Sequence, residues 1–185
     1  MLYIVGGAGR AGKSIIAHRF MRETETPYLS LDVLMMGIYR GYPERGVNPE
    51  DPDYQNAEKM WPVVQSMSRN IVEADLEYLF EGVSILPHQV NELVNTYPKS
   101  VRACFIGFPD TTPEEKLRAI HDYPNHPNNW TSGYSDNELM DFIYIQIRHS
   151  VRLRDECANF NIPYYNESGD FCGTINSVIR YLKGD

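Results

Sequence analysis

Along the chain, short apolar runs alternate with stretches of helical periodicity. Leu2-Tyr3-Ile4-Val5 is an unbroken apolar run suited to a strand buried on both faces. Ile15, Ile16, Ala17 and Phe20 then give the following stretch the apolar face of a helix. Pro27-Tyr28-Leu29-Ser30-Leu31 predicts a second strand with Asp32 at its carboxyl end, and Val33 to Gly37 a short apolar helix. The three prolines and several charges between Gly41 and Asp53 predict a mobile loop or flap. Met60, Val63, Val64, Met67, Ile71 and Ala74 recur at helical spacing. Pro62 falls inside that run and marks either a kink or a second helix start.

Tyr78-Leu79-Phe80 predicts a third strand that ends in Glu81-Gly82, and Val101 to Ile106 a fourth. Pro113 to Ile120 starts the next helix, with acids in its first turn as the helix dipole favours. Asp122 to Gly133 is a polar loop rich in Asn and Pro that contains Trp130. Ser135 and Glu138 then form a capping-box pair ahead of a long helix to about Ala158. Ile162-Pro163-Tyr164-Tyr165 reads as a fifth strand, and Ile175, Val178, Ile179 and Leu182 as the inner face of a last helix. Strands alternating with helices predict one three-layer α/β domain over residues 1–185 around a five-stranded parallel sheet. Ligands of such sheets bind beyond the carboxyl ends of the strands, which places whatever follows those ends on one rim.

Composition narrows the picture. The 185 residues carry a net charge of −8, against the basic surface expected of a nucleic-acid binder, so no nucleic-acid partner is expected. No run of about 18 apolar residues is present, so no membrane span is expected. Leu2 opens the first strand at once and leaves no room for a signal peptide ahead of it. Cys104, Cys157 and Cys172 are scattered and outside any C-x-x-C pair, which fits reduced thiols. The expectation is a cytoplasmic protein; its oligomeric state carries no signal.

The chemistry starts at Gly7-Ala8-Gly9-Arg10-Ala11-Gly12-Lys13-Ser14, which fits the phosphate-loop pattern G-x-x-x-x-G-K-[ST] between a strand and a helix. The glycines let the backbone wrap a phosphate chain with its N–H groups turned inward. Lys13 is placed to reach the terminal phosphates, the Ser14 hydroxyl to ligate magnesium, and the helix dipole adds positive potential. Gly7 to Ser14 and Ile15 are therefore the expected nucleotide-binding residues. Asp32 is either a helix N-cap or a carboxylate that orients or deprotonates an acceptor hydroxyl. Glu81 is a solvated strand-end acid, a magnesium-holding group or a general base.

The phosphate loop, Asp32 at a strand end, and Leu79-Phe80-Glu81-Gly82 together resemble the small-molecule P-loop kinases, such as adenylate, shikimate and zeta-toxin-type kinases. The run from Phe80 to Pro87 is also similar to a segment of 2-phosphoglycerate kinases. The resemblance implies a P-loop NTPase fold, ATP and Mg2+ as cofactors, a small-molecule phosphoryl acceptor, and a basic lid over the nucleotide. Arg118 occupies the place where relatives set an arginine against adenine; a second one, expected a turn later, is replaced by Asp122. Arg148 and Arg152, with Arg154 behind them, are candidates for the missing lid charge, or else form a salt-bridged solvent face. The lid is expected within 118–154 and an acceptor flap within 38–62. The flap region offers Arg40 and Arg45 to pair with an anionic acceptor, and Tyr39, Tyr42, Tyr54 and Trp61 to pack a ring.

Three functions are compatible with these features. One is an ATP-dependent kinase acting on a hydroxyl or phosphate of a small molecule. A second is a nucleotide-dependent binding module or switch, although no N-K-x-D guanine motif is present and Asp170-Phe171-Cys172-Gly173 follows the last strand. A third is a zeta-toxin-type kinase of a nucleotide sugar.

Overall fold

The computed structural model describes residues 1–122, 131 and 133–184. Strand β1 (Leu2–Gly7) leads through the phosphate loop into α1 (Lys13–Thr24), and β2 (Tyr28–Ser30) runs directly into α2 (Leu31–Gly41). Next come α3 (Asp53–Glu73), β3 (Tyr78–Gly82), α4 (Pro87–Thr96), β4 (Val101–Gly107) and α5 (Pro113–Asp122). The chain closes with α6 (Asp136–Phe160), β5 (Tyr164–Asn166) and α7 (Phe171–Lys183). All strand pairs are parallel, in the order β2-β3-β1-β4-β5.

Alternation along the central strands builds two cores. Leu2, Ile4, Phe80, Ala103 and Phe105 face the side covered by α2, α3 and α4. Val5, Leu79, Cys104 and Ile106 face the side covered by α1 and α7, where Ile16, Phe20, Ile175, Val178, Ile179 and Leu182 pack. Helix α6 serves both, with Leu139 and Ile143 in the second core and Leu153 and Cys157 in the first. Burying both sheet faces is what makes these strands read as continuous apolar runs.

Several elements differ from expectation. Helix α2 begins at Leu31 with Ser30 as its N-cap, so Asp32 lies inside the first turn and is not the cap. Helix α3 passes through Pro62 without a second start; the proline, lacking an N–H, only leaves the Glu58 carbonyl outside the ladder. Helix α4 was not foreseen: its ten residues include His88, Gln89, Asn91 and Glu92, too polar to show a clear apolar stripe. Strand β5 starts two residues later than expected, at Tyr164.

The segment expected as a flap is anchored to α3. Asn56 Nδ2 donates to the Asn48 carbonyl at 2.7 Å, Lys59 Nζ donates to the Gly46 carbonyl at 2.6 Å, and Val47 is buried. Of the polar loop Asp122 to Gly133, residues 123–130, Trp130 among them, and 132 lie outside the described residues. The Ser135–Glu138 capping box is formed in both directions. Among the described residues no helix is long and apolar enough to cross a membrane.

Candidate active site

The loop after β1 has the backbone its glycines permit. Gly12 sits at φ 92°, in the left-handed region, and ends the loop where α1 begins. Arg10 also adopts a positive φ of 64°, a conformation uncommon for a residue with a Cβ. Lys13 is the first residue of α1 and only 6% exposed. Its ammonium donates to the Ala8 carbonyl at 2.6 Å, which folds the side chain back over the loop. Burial lowers the Lys13 pKa, opposed by the charges of Glu81, Asp32 and Asp53.

Glu81 is buried at the end of β3, in register with Val5 of β1 and Ser30 of β2. The Ser14 hydroxyl lies 3.4 Å from both of its carboxylate oxygens, and the Ser30 side chain also bonds it. Burial pushes the Glu81 carboxyl above its ordinary pKa, and the nearby Lys13 charge opposes that rise. Asp32 reaches the same centre from α2. A Cβ on Gly82 would stand 2.7 Å from Leu31 Cβ, so the glycine after Glu81 is what lets the start of α2 approach. Burial raises the Asp32 pKa, Lys13 opposes this, Asp53 reinforces it, and the Val83 N–H bonds the carboxylate. Its Oδ1 is buried and has no hydrogen-bond partner among the described residues.

Helix α6 closes the site with residues the sequence did not single out. Gln146, only 3% exposed, accepts a hydrogen bond from the Gly9 N–H at 2.6 Å and donates to Asp53 Oδ2 at 3.1 Å. The two bonds together fix which end of the amide points where. A side-chain oxygen therefore sits on a phosphate-loop amide. His149 stands one turn further along the same face. Its Nε2 is buried and unpartnered among the described residues. Burial lowers the His149 pKa, against the charge of Asp53. A signal for Gln146 was present: it occupies a buried position in the stripe Leu139, Ile143, Gln146, Ser150, Leu153.

On the other side of the phosphate loop lies a cavity of about 470 Å3 between Arg10, α5 and the β5–α7 connection. Lys116 and Glu167 form a buried ion pair in its wall, and the Lys116 ammonium lies 4.2 Å from the Phe108 ring centroid. Burial pushes the Glu167 carboxyl up to about 7, opposed by Lys116, and lowers the Lys116 ammonium. Sequence reasoning passed over both, because a lysine in an acid-rich first helical turn reads as a surface residue.

Of the predicted arginines, Arg152 acts electrostatically on His149, while Arg118, Arg148, Arg40 and Arg45 are exposed. Arg118 is exposed and lines a separate concavity with Leu117, His121, Asp122 and Asp136, not the cavity beside Arg10. Arg148 is exposed. Arg152 is exposed and lies over the Tyr54 ring, 5.2 Å from its centroid. Arg154 pairs with Asp110 and Asp155. Arg40 is exposed, eight residues beyond Asp32 and so about 12 Å along α2, and Arg45 is exposed in the short 3-10 turn Pro43–Arg45.

Solved structures share this architecture. A shikimate kinase from Bacteroides thetaiotaomicron matches with a TM-score of 0.57 at 17% identity, over 100% of this chain and 97% of its own. A gluconokinase from Sinorhizobium meliloti 1021 matches with a TM-score of 0.59 at 13% identity, over 98% and 91%. The chain has the fold of the P-loop small-molecule kinases, an α/β architecture with a five-stranded parallel sheet. No family model and no curated protein matches the sequence.

Proposed function

We propose that the protein is an ATP-dependent kinase that transfers the γ-phosphoryl group to a small molecule, on a hydroxyl or phosphate. The observation that carries this reading is convergence: a buried Lys13 feels the charges of Glu81, Asp32 and Asp53, three acids from three different elements. A purely structural buried lysine would be met by a carboxylate at contact distance, as Lys116 is by Glu167.

In this reading the amides from Gly7 to Ser14, with Ile15, cradle the phosphates, and Lys13 stabilises charge that builds on the transferred group. Ser14 and Glu81 offer hard oxygen donors that fit Mg2+, which would supply charge neutralisation at the phosphates when bound. The cavity beside Arg10 is large enough to take the base. Asp32 Oδ1 accepts the acceptor's proton as the acceptor oxygen bonds phosphorus and the bond to the bridging oxygen of ADP breaks. A carboxyl whose pKa is raised by burial is the stronger base for that step. Arg148 and Arg152 on α6 are assigned to the lid within 118–154, Arg118 to its outer edge, and Arg40 and Arg45 to the flap within 38–62.

The test is ADP release from Mg-ATP with and without candidate acceptors. An acceptor should raise turnover above the water rate, and Asp32→Asn should lower it about a hundredfold with ATP affinity unchanged. Tight nucleotide binding with no acceptor-stimulated turnover would return the reading of a binding module or switch.

A further inference from the structure

On the kinase reading, on which this inference rests, the cavity of about 470 Å3 beside the phosphate loop receives the base of the nucleotide. The resemblance to P-loop kinases sets Arg118 against that base, yet Arg118 is not among the residues that line the cavity. Its Nε donates to the Glu114 carbonyl one turn back at 3.4 Å, and its side chain borders the separate concavity with His121 and Asp136. A different arginine takes the wall. Arg10, the fourth residue of the loop that starts at Gly7, is half-buried and lines the cavity. Its φ of 64° is left-handed backbone, which a residue with a Cβ rarely adopts and which persists only where the surrounding structure imposes it. Glycine carries such a turn without strain, as Gly12 does at φ 92°. An arginine in that position costs the fold, and its side chain goes to the cavity.

The rest of the lining suits a flat ring. Ala119 and Ile120 come from α5, and Gly169 and Phe171 from the β5–α7 connection. Phe171 also packs on the loop itself, where a Cβ on Gly12 would stand 2.9 Å from its ring. The cavity therefore adjoins the phosphate loop at both Arg10 and Gly12. Lys116, the other cation of the wall, is committed to Glu167 and lies 4.2 Å from the Phe108 ring centroid. An ammonium has no plane to offer a base, whereas a guanidinium does.

We propose that Arg10 lies against the base of the bound nucleotide, in the role that the resemblance gives to Arg118. A guanidinium is planar and weakly hydrated, so it stacks on an aromatic ring and brings a fixed positive charge to its face. The phosphate loop then holds both ends of the nucleotide, the phosphates with its amides and the base with one of its side chains.

The experiment is titration calorimetry of the full chain with a non-hydrolysable ATP analogue and magnesium and, separately, with inorganic tripolyphosphate, which has no base. Arg10→Ala should weaken binding of the analogue about tenfold and leave that of tripolyphosphate unchanged. Arg10→Lys keeps the charge, loses the plane and should recover little of the difference. Arg118→Ala should bind both ligands as wild type does. Equal weakening of the two ligands in Arg10→Ala, or full recovery in Arg10→Lys, makes Arg10 a phosphate ligand and overturns the inference with the kinase reading intact. An analogue bound equally well by Arg10→Ala and wild type, or weakened by Arg118→Ala instead, overturns it in the same way. Failure of wild type to bind the analogue overturns both. Should Arg10→Ala melt earlier than wild type, Arg10→Gly, which the positive φ favours, carries the same measurement.

Discussion

Two buried lysines, Lys13 at the end of the phosphate loop and Lys116 in the wall of the cavity beside it, are handled in opposite ways. Lys116 is 6% exposed and is met at once by Glu167, with the Phe108 ring beside it. Lys13 is equally buried, yet among the described residues no carboxylate oxygen lies within salt-bridge distance of it, and it donates to a backbone carbonyl. Its three acids act from further away. A charge matched inside the protein belongs to the scaffold. One held among distant acids, with a nest of amides beside it, is set for a ligand's charge.

The sharpest way to break that contrast is to remove each ammonium in turn. Lys13→Ala should lower acceptor-dependent turnover about a thousandfold. Its melting temperature should stay level or rise, because no carboxylate depends on Lys13 at contact distance. Lys116→Met should do the reverse. It removes the cation that favours the ionised form of Glu167, so melting temperature should fall, and the loss should grow as pH rises above about 7. The double variant Lys116→Met with Glu167→Leu should recover most of that loss. Thermal melts and initial rates on the three proteins decide the matter. A large stability loss in Lys13→Ala, or none in Lys116→Met, would invert the assignment.

The matched pair also has a pH signature. The Glu167 carboxyl titrates near 7 in the folded chain, above its ordinary value near 4.5. Between those values the folded state holds the proton more often than the unfolded state, so this group's contribution to stability falls as pH rises, and it levels off above about 7. Unfolding midpoints in urea across pH 5 to 8 should show wild type losing stability relative to Glu167→Gln up to about pH 7, then running parallel. A difference that grew with pH over that interval would mean the carboxylate is held ionised.

The contrast also explains what could be seen in the sequence. The phosphate loop was legible because eight contiguous residues carry its geometry, and glycine spacing is a local property. Asp32 and Glu81 were legible as partners because a parallel sheet delivers its strand ends to one rim, whichever strands they are. Gln146 and Asp53 were not, since their bonds to the loop and to each other span 137 and 93 residues. Nothing local distinguishes Gln146 from other glutamines except its place in an apolar stripe. Lys116 and Glu167 were hidden for the same reason, 51 residues apart. Arg148 and Arg152 were named for their spacing on one helix face, which does not say on which side of that helix a cavity lies.

Gln146 gives the finest test of the ligand-ready side. Its Oε1 accepts from the Gly9 N–H at 2.6 Å, a bond that a phosphate oxygen seated on that amide must replace. Removing the side chain therefore removes a competitor from the nucleotide's path. A neutral hydrogen bond contributes on the order of 1 kcal/mol, so Gln146→Ala should tighten binding of a non-hydrolysable ATP analogue about fivefold. The same change deprives Asp53 of its donor and should slow acceptor-dependent turnover at saturating ATP, because the α3 side of the site loses its tie to the loop. Titration calorimetry with wild type and variant separates these effects from a general loosening. If the analogue binds more weakly in Gln146→Ala, the amide does not vacate Gly9 but stays to hold the phosphate, and Gln146 belongs with Lys13 as a nucleotide ligand.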